Sequence, residues 1–423
     1  MSSSPGNIHS IIAEYRPELA SFEDTYKDVH SHPELGKQEK RTASIASAHL
    51  ESVGYKVISN IGGYGVVGIL SNGSGPTVLL RADMDALPIK ENTGLEYAST
   101  LEAVDENGET QPVMHGCGHD VHVVSLMASA TLLANAKSKW FGTLLVLFQP
   151  DEEHGEGARA MLDDGLYEKI PKPDIVLGQH LVASLAGTVL VRPGICMASA
   201  DSLKVVVHGR GGHASSPQDA IDPVVLAASI IVRLQTVVAR EIGPGDAASV
   251  TCASIHSGKA HNVIPDEVVI LINVRAFEED VRKKVLDAIK RIIKGEAIAS
   301  GVEREPEITT INQYPRTVND EDSSAKIKNA FEEYFGKEQT LIPPRATASE
   351  DFSLLATDIG VPSVFWNFGG VEQKRWKASR DVSDGSKRLS QPHQANYAPV
   401  IQPTLQTGVD AMSLAALTFL GAV

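Results

Sequence analysis

The alternation of short apolar runs with helical patterns constrains the fold more than any other feature of the first 200 residues. Residues 143–148 (TLLVLF) are almost wholly apolar, which is typical of a strand covered on both faces. Residues 175–179 form a second such run, and residues 121–136 and 158–164 have helical spacing. This alternation predicts an α/β fold in which helices sandwich a mixed, largely parallel sheet.

The pattern changes after residue 200. Four strand-like runs and two helical patterns then follow one another in the order β-α-β-β-α-β, which is that of the ferredoxin-like unit. They lie at residues 202–208, 221–241, 249–256, 267–277, 279–300 and 308–311. We therefore expect a small α+β domain over residues 201–314, inserted into a larger domain made of residues 1–200 and 315–423.

Charge and cysteine usage exclude several classes of partner. The 423 residues include 38 basic and 53 acidic side chains, a net charge of −15, and such a surface repels nucleic acid and anionic membranes. No run of 18 or more uncharged apolar residues predicts a membrane span. Three scattered cysteines, Cys117, Cys196 and Cys252, favour a reducing compartment. Since the N-terminus does not resemble a signal peptide, we expect a cytoplasmic protein.

The densest group of metal-binding side chains is the segment MHGCGHDVH, residues 114–122. Cys117 and His119 are two residues apart, so on an extended chain they point the same way. A thiolate and an imidazole are good ligands for a metal such as zinc. A buried free cysteine beside hydrogen-bonded histidines is the alternative that this pair alone leaves open.

Paired carboxylates directly follow one of the apolar runs. Residues 149–157 (QPDEEHGEG) come after the run TLLVLF, and in open α/β sheets sites form at the carboxyl ends of strands. Adjacent carboxylates repel each other unless a cation is present. Glu152 and Glu153 therefore fit a site in which one binds metal and the other carries protons, although an acidic solvated turn would give the same sequence.

Two histidines become candidate metal ligands only in combination with these groups. His180 ends another apolar run and His393 stands alone in the sequence QPHQ; either one by itself is more typical of a satisfied surface or core residue. Together the side chains would supply a two-metal site whose remaining positions stay open for water. The five candidate ligands are Cys117, His119, Glu153, His180 and His393.

Seven segments, spread nearly from end to end, carry a family resemblance. They are HSHPELGKQEKRTA (30–43), RADMDALPIKE (81–91), MHGCGHDVH (114–122), FQPDEEHGEGARAML (148–162), GRGGHASSPQDAIDPVVLAA (209–228), HNVIPDEVVILINVRAF (261–277) and ASEDFS (348–353). In this order they resemble the aminoacylase/carboxypeptidase class of dinuclear metallopeptidases, peptidase family M20. Within it the chain is most similar to the amidohydrolase subfamily of hippurate hydrolases, N-acyl-amino-acid hydrolases and plant auxin-conjugate hydrolases.

The resemblance implies a metal-dependent enzyme that cleaves the amide bond of N-acyl amino acids or related small conjugates. It implies two divalent ions per subunit, zinc or manganese, with Cys117 as the bridging ligand and the other four candidates at the remaining ligand positions. Glu152 falls on the general acid/base. Asp83 lies in a motif that adjoins a metal-binding histidine in other branches; here Arg81 stands in place of that histidine, so Asp83 is expected to support a ligand.

Three residues of the inserted domain match positions that meet substrate. His213 matches a histidine that, in related dimers, reaches the partner's active site and helps to hold the developing oxyanion. The resemblance therefore implies a homodimer formed through this lid/dimerisation domain. Asn262 and Arg275 match lid positions that bind the substrate carbonyl or carboxylate.

Several alternatives stay open. The segment 63–68 (GYGVVG) satisfies a dinucleotide-binding pattern, but it runs into a strand-like sequence rather than a helix. A non-catalytic metal-binding homologue and an amide-forming biosynthetic enzyme would use the same residues. The sequence leaves open the acyl group, the amine and the choice between zinc and manganese. It also leaves open whether the charged segment 371–392 is a solvated loop or gates the substrate.

Overall fold

The computed structural model describes residues 5–379 and 388–422, which form two compact units. The first unit takes the described residues of Met1–Gly194, Val318–Pro344 and Asp351–Val423, and the second takes Ile195–Thr317 and Arg345–Glu350. The sequence boundaries at 201 and 314 lie a few residues inside those of the second unit. The division into a catalytic domain and a lid stays a prediction.

Helices and strands make up most of the described chain. The helices are α1 (Pro5–Tyr15), α2 (Ala20–Ser31), α3 (Lys40–Ser52), α4 (His119–Asn135), α5 (Gly157–Asp163), α6 (Leu166–Lys169), α7 (Pro223–Thr236), α8 (Glu279–Ala299), α9 (Glu321–Phe335), α10 (Leu354–Thr357), α11 (Gln373–Ser379) and α12 (Ile401–Phe419). The strands are β1 (Lys56–Ile61), β2 (Gly65–Asn72), β3 (Thr77–Asp83), β4 (Glu102–Val104), β5 (Thr110–Pro112), β6 (Trp140–Gln149), β7 (Ile175–Leu185), β8 (Val189–Val191), β9 (Gly194–Met197), β10 (Ser199–His208), β11 (Gly212–His213), β12 (Ala248–Ser257), β13 (Val263–Ile264), β14 (Glu267–Ala276), β15 (Glu307–Tyr314), β16 (Thr317–Asn319), β17 (Thr340–Leu341), β18 (Ser363–Val371) and β19 (Gly421–Ala422).

The first unit is built on a mixed sheet with a parallel centre. In its described part the strand order is β1-β2-β6-β3-β7-β18-β8-β17, with β19 added beside β6. The central strands β6, β3, β7 and β18 run parallel. Val78 and Leu80 pack in one core with α4, while the intervening Leu79 is also fully buried. Because both alternating sets of side chains are buried, both faces of the sheet are covered, and the predicted α/β fold is confirmed.

The second unit has the predicted ferredoxin-like order. Its four long strands form an antiparallel sheet in the order β12-β14-β10-β15, and α7 and α8 contribute to its core. Helix α7 begins where the Asp222 side chain accepts a hydrogen bond from the Val224 N–H at 2.8 Å, and Pro223 occupies the first helical position.

Helix α7 and the turn that continues it to Glu241 are apolar and long. Among the described residues, Pro223–Glu241 is the one helical segment that could cross a membrane by length and composition, and 33% of its most apolar window is buried. Leu226, Ile230 and Leu234 lie fully buried in the core of the second unit. The burial is that of a core helix with one side left exposed.

Two further expectations concern loops. The dinucleotide-like segment 63–68 lies in the antiparallel hairpin of β1 and β2, as predicted, and no helix opens within it. The charged segment 371–392 is not one continuous loop, because residues 373–379 form α11. Residues 380–387 of that segment lie outside the described part of the chain.

Candidate metal centre

The central strands bring the carboxylate pair to one edge of the sheet. Strands β3 and β6 run parallel with Asp83 opposite Gln149, so both end at the same edge. Glu152 and Glu153 lie in the turn that follows β6. The end of this turn requires glycine at position 157, because a Cβ atom there would lie 1.7 Å from the Pro150 carbonyl oxygen.

Strand β7 lies on the other side of β3. Gly178 pairs with Arg81, so His180, two residues further on, comes level with Asp83. The apolar run of β7 therefore delivers His180 to the sheet edge where Asp83 ends its strand.

Helix α4 begins with one candidate ligand and is preceded by another. Gly118 adopts a left-handed φ of 88° just before the helix, a conformation that glycine accepts at little cost. A Cβ atom at this position would also lie 2.7 Å from the Leu181 side chain. The glycine thus lets Cys117 and His119 approach β7 closely.

Backbone hydrogen bonds hold His393 next to this segment. The N–H of His393 donates to the Gly116 carbonyl at 2.8 Å, and the Asn92 N–H donates to the Ala395 carbonyl at 2.7 Å. The His393 side chain is 54% exposed, so it closes the cluster on its solvent side.

All five predicted ligand residues lie in one cluster. Cys117, Glu153 and His393 each offer an atom within 4.8 Å of the other two. The Cys117 Sγ is 3.4 Å from His180 Nε2, and His393 Nε2 is 3.3 Å from Glu153 Oε2. His119 Nε2 is 3.8 Å from Glu153 Oε1.

Glu152 adjoins the cluster from the same turn. One of its oxygens lies within 4.8 Å of ligand atoms of His119 and Glu153. The residue is only 6% exposed, and its carbonyl accepts a hydrogen bond from the Gly155 N–H at 2.7 Å. The structure therefore brings the predicted acid/base together with the predicted ligands.

Asp85, which the sequence analysis missed, orients two of these residues. Its Oδ1 lies 3.2 Å from His119 Nδ1 and its carbonyl oxygen 2.9 Å from the same nitrogen. Its Oδ2 accepts a hydrogen bond from the Glu153 N–H at 2.8 Å. With Nδ1 engaged, the lone pair of His119 Nε2 is directed into the cluster. Its position two residues after Asp83 was the one available sequence signal, and that position does not indicate which groups Asp85 contacts.

Asp83 lies fully buried between cationic and imidazole groups. It accepts from Arg81 Nη1 at 2.7 Å and from His122 Nδ1 at 2.6 Å, and its Oδ2 is 3.7 Å from His119 Nε2. Burial alone would raise the pKa of Asp83, but His119, Arg81 and the hydrogen bond from His122 hold it well below the usual range. Arg81 is therefore the buried counterion of Asp83. It also donates to Gln149 at 2.9 Å.

The electrostatics of the cluster favour a bound cation. Burial and the carboxylates of Glu153 and Glu152 raise the pKa of the Cys117 thiol well above its usual value, so ionisation requires a cation. Burial lowers the pKa of His180 to about 4. Burial also tends to lower the pKa of His119, but Asp83 and other carboxylates outweigh it and raise this pKa to about 10.

These groups fit a pair of divalent metal ions. The His119 Nε2 atom is buried and has no hydrogen-bond partner among the described residues, which is the condition of a nitrogen reserved for a metal. Sulfur, nitrogen and oxygen donors together suit zinc and also admit manganese.

Two predicted substrate-binding residues lie together in the second unit. His213 on β11 pairs with Val263 on β13, and the Ala214 N–H donates to the Asn262 carbonyl at 3.0 Å. The His213 ring is exposed, and its Nδ1 lies 2.7 Å from Ser215 Oγ.

Arg275 lies elsewhere in the second unit, on β14. It donates to Asn273 Oδ1 at 2.9 Å, to Ser349 Oγ at 2.8 Å and to the Thr347 carbonyl at 3.4 Å. Burial lowers the pKa of Arg275. In the described part of the chain, these hydrogen-bond partners of the guanidinium are neutral.

Comparison with known proteins finds related sequences along most of this chain. The family model "Peptidase family M20/M25/M40" matches residues 79–381. The hippurate hydrolase of Campylobacter jejuni is 38% identical over 346 residues, which cover 81% of this chain and 87% of the relative. The N-acetyl-L-cysteine deacetylase of Bacillus subtilis is 35% identical over 86% of each chain.

A solved structure shows the same architecture. The Bacillus subtilis YXEP protein, described as a dinuclear metal-binding peptidase of family M20, superposes with a TM-score of 0.73 at 26% identity. The match covers 97% of this chain and 98% of that one. The chain therefore belongs to peptidase family M20/M25/M40, in its amidohydrolase subfamily, and is a metal-dependent hydrolase of the aminoacylase/carboxypeptidase type.

Proposed function

We propose that this protein hydrolyses the amide bond of N-acyl amino acids or related small conjugates at the cluster formed by the five candidate ligands. The observation that carries the proposal is the meeting of these residues, from four separate parts of the chain, beside a carboxylate that need not bind metal. The names of the relatives support the substrate class, since they act on hippurate and on N-acetyl-L-cysteine.

The role of each group in the reaction follows from its chemistry. Two divalent ions held by the five candidate ligands would lower the pKa of a water molecule and polarise the amide carbonyl. The Glu152 carboxylate accepts the water's proton and delivers it to the leaving nitrogen. Asp85 holds the His119 ring and the Glu153 backbone in place while this happens.

A hydrolysis screen would identify the substrate. Metal-free protein would be loaded with zinc, manganese or cobalt and given acyl-amino acids with different acyl and amino halves. We expect release of both halves from at least one class of substrate. A replete protein that released neither half would favour a non-catalytic homologue, and condensation of acid and amine would favour an amide-forming enzyme.

The surroundings of Arg275 support a carboxylate-bearing amino half. A half-buried guanidinium whose partners are neutral can still form charge-assisted hydrogen bonds with a substrate carboxylate. Such bonds contribute about 1.5–3 kcal/mol. We therefore expect Arg275→Met to raise KM about tenfold to a hundredfold, as measured by steady-state kinetics on an N-acyl amino acid.

The matched control for Arg275 is a substrate rather than a variant. An N-acyl amine that lacks the carboxylate should be cleaved equally well by the Arg275→Met variant and the unmodified protein. An equal loss on both substrates would show that Arg275 acts structurally and would remove the carboxylate assignment.

We further propose that the second unit is the lid/dimerisation domain. In the described part of its main sheet, β12 is an edge strand that pairs with β14 alone, and such an edge can accept a strand from a second copy. Val225 and Val232 of α7 are 62% and 70% exposed. These features support a homodimer, which would let His213 act in the partner's site.

His213→Ala is expected to lower kcat by about 10²- to 10³-fold, the usual loss for a group that stabilises an oxyanion, without loss of metal. Kinetics and elemental analysis would be run on the same sample, with His32→Ala, an exposed histidine of the first unit, as the control. Metal loss in the His213 variant would indicate that His213 is a metal ligand. A fully active monomer in sedimentation would contradict the dimer.

The cytoplasmic location stays a prediction.

A further inference from the structure

His122, the last residue of the segment MHGCGHDVH, is fully engaged by two hydrogen bonds. Its Nδ1 is 2.6 Å from Asp83 Oδ1, and its Nε2 lies 2.7 Å from the backbone nitrogen of Leu181. A backbone N–H can only donate, so Nε2 must be the bare acceptor and Nδ1 must carry the proton that it donates to Asp83. The ring is neutral, its tautomer is fixed, and neither nitrogen retains a lone pair for a metal.

The residue whose N–H binds His122 also orients a proposed ligand through its carbonyl group. The Leu181 carbonyl accepts a hydrogen bond from His180 Nδ1 at 2.6 Å. With Nδ1 protonated, the lone pair of His180 is on Nε2, which lies 3.4 Å from Cys117 Sγ. The backbone of Leu181 is thus held at its N–H by one histidine, and its carbonyl group fixes the ring of the other.

The chain of contacts is anchored in the core of the first unit. Asp83 is held on its other oxygen by Arg81 at 2.7 Å, and Asp83 and Arg81 are 0% exposed. His122 itself is 1% exposed. A continuous path therefore leads from a buried ion pair, through His122 and the backbone of Leu181, to His180.

We propose that His122 is a positioning residue that fixes the tautomer and orientation of His180, and thereby sets the affinity of the ion that His180 binds. The inference deepens the proposed function, because it rests on His180 being a ligand. It also decides the role of His122 in the compact group of Asp83, His119, His122 and His180, whose ligand atoms lie within 4.8 Å of one another: His122 supports this group and does not coordinate.

The test is a metal titration of His122→Phe, which keeps a flat ring but removes both hydrogen bonds. Cobalt would be titrated into metal-free protein and followed by calorimetry and by its thiolate-to-metal absorption. We expect one of the two ions to bind about ten- to a hundredfold more weakly, the usual loss when support of a metal-binding histidine is removed. The other ion should bind as in the unmodified protein.

A conservative variant and two controls separate positioning from a general structural role. His122→Gln can still accept the Leu181 N–H through its side-chain oxygen and should recover part of the lost affinity; it also replaces the phenylalanine variant if that one does not fold. His49→Phe removes a partly buried histidine that bonds Met127 and Thr131, and both of its ions should bind normally. His180→Ala should lose the ion that His122→Phe weakens.

Each outcome has one meaning. Unchanged affinity for both ions in His122→Phe, or equal weakening of both without recovery in His122→Gln, would overturn the positioning role. If His180→Ala kept both ions at full affinity, the ligand assignment itself, and with it the proposed site, would fail instead.

Discussion

Glu152→Gln is expected to lower kcat by about 10²- to 10⁴-fold, the usual contribution of a general acid or base, while both metal ions remain bound. The amide has the shape of the carboxylate but cannot take up a proton from water and pass it to the leaving nitrogen. Glu152 is 6% exposed and is not one of the five candidate ligands. Because the amide has the same shape, the variant should leave the ligand set intact. Steady-state kinetics and metal analysis on one preparation would measure both quantities.

The same turn offers a matched control. Glu156 is a half-exposed carboxylate whose partner is Lys37 at 2.6 Å, and exposed pairs of this kind contribute about 0–1 kcal/mol to stability. Glu156→Gln should therefore retain activity. Full activity in Glu152→Gln, or a loss of metal that accounts for its inactivity, would refute the proton-carrying role.

Cys117→Ala is expected to remove at least one ion and nearly all turnover. A metal ion contributes several kcal/mol of charge stabilisation, so kcat should fall by about 10²-fold or more. Because metal binding must displace the proton of a thiol whose pKa is raised, the unmodified protein should also lose its ions as the pH falls. Elemental analysis after dialysis at several pH values would follow both effects.

The other two cysteines are the controls for Cys117. Cys196 is also buried, with its sulfur 3.4 Å from the Thr317 carbonyl, and Cys252 lies on β12. Cys196→Ala and Cys252→Ala should keep two ions per subunit and normal kcat. If Cys117→Ala behaved like them, a bridging thiolate would have no place in the site.

The sequence predicted the fold where periodic patterns are strong. The apolar run in β6 and the β-α-β-β-α-β order of the second unit are both local patterns whose burial follows from side-chain alternation. The grouping of residues 345–350 with the second unit could not be predicted, because six residues are too few to show a period. They join the second unit through contacts such as the bridge between Ala346 and Met197.

Position in the sequence indicated those site groups that follow strand ends or precede a helix, whereas His393 became a candidate only in combination with them. Glu152 and Glu153 could be placed in this way. Asp85 and His122 could not, because their roles depend on which backbone N–H and which ring they meet after folding. His122 stands within the quoted motif, but only the 2.7 Å contact with the Leu181 N–H distinguishes it from a ligand.

Anomalous diffraction from crystals of the metal-loaded protein, recorded at the absorption edges of manganese and zinc, would locate the ions themselves. We expect two peaks per subunit, both within coordination distance of the thiolate of Cys117, with His119, Glu153, His180 and His393 as the further ligands and Glu152 left uncoordinated. A single peak, peaks at other residues, or a bond from either ion to Glu152 would contradict the assignment of ligands and proton carrier.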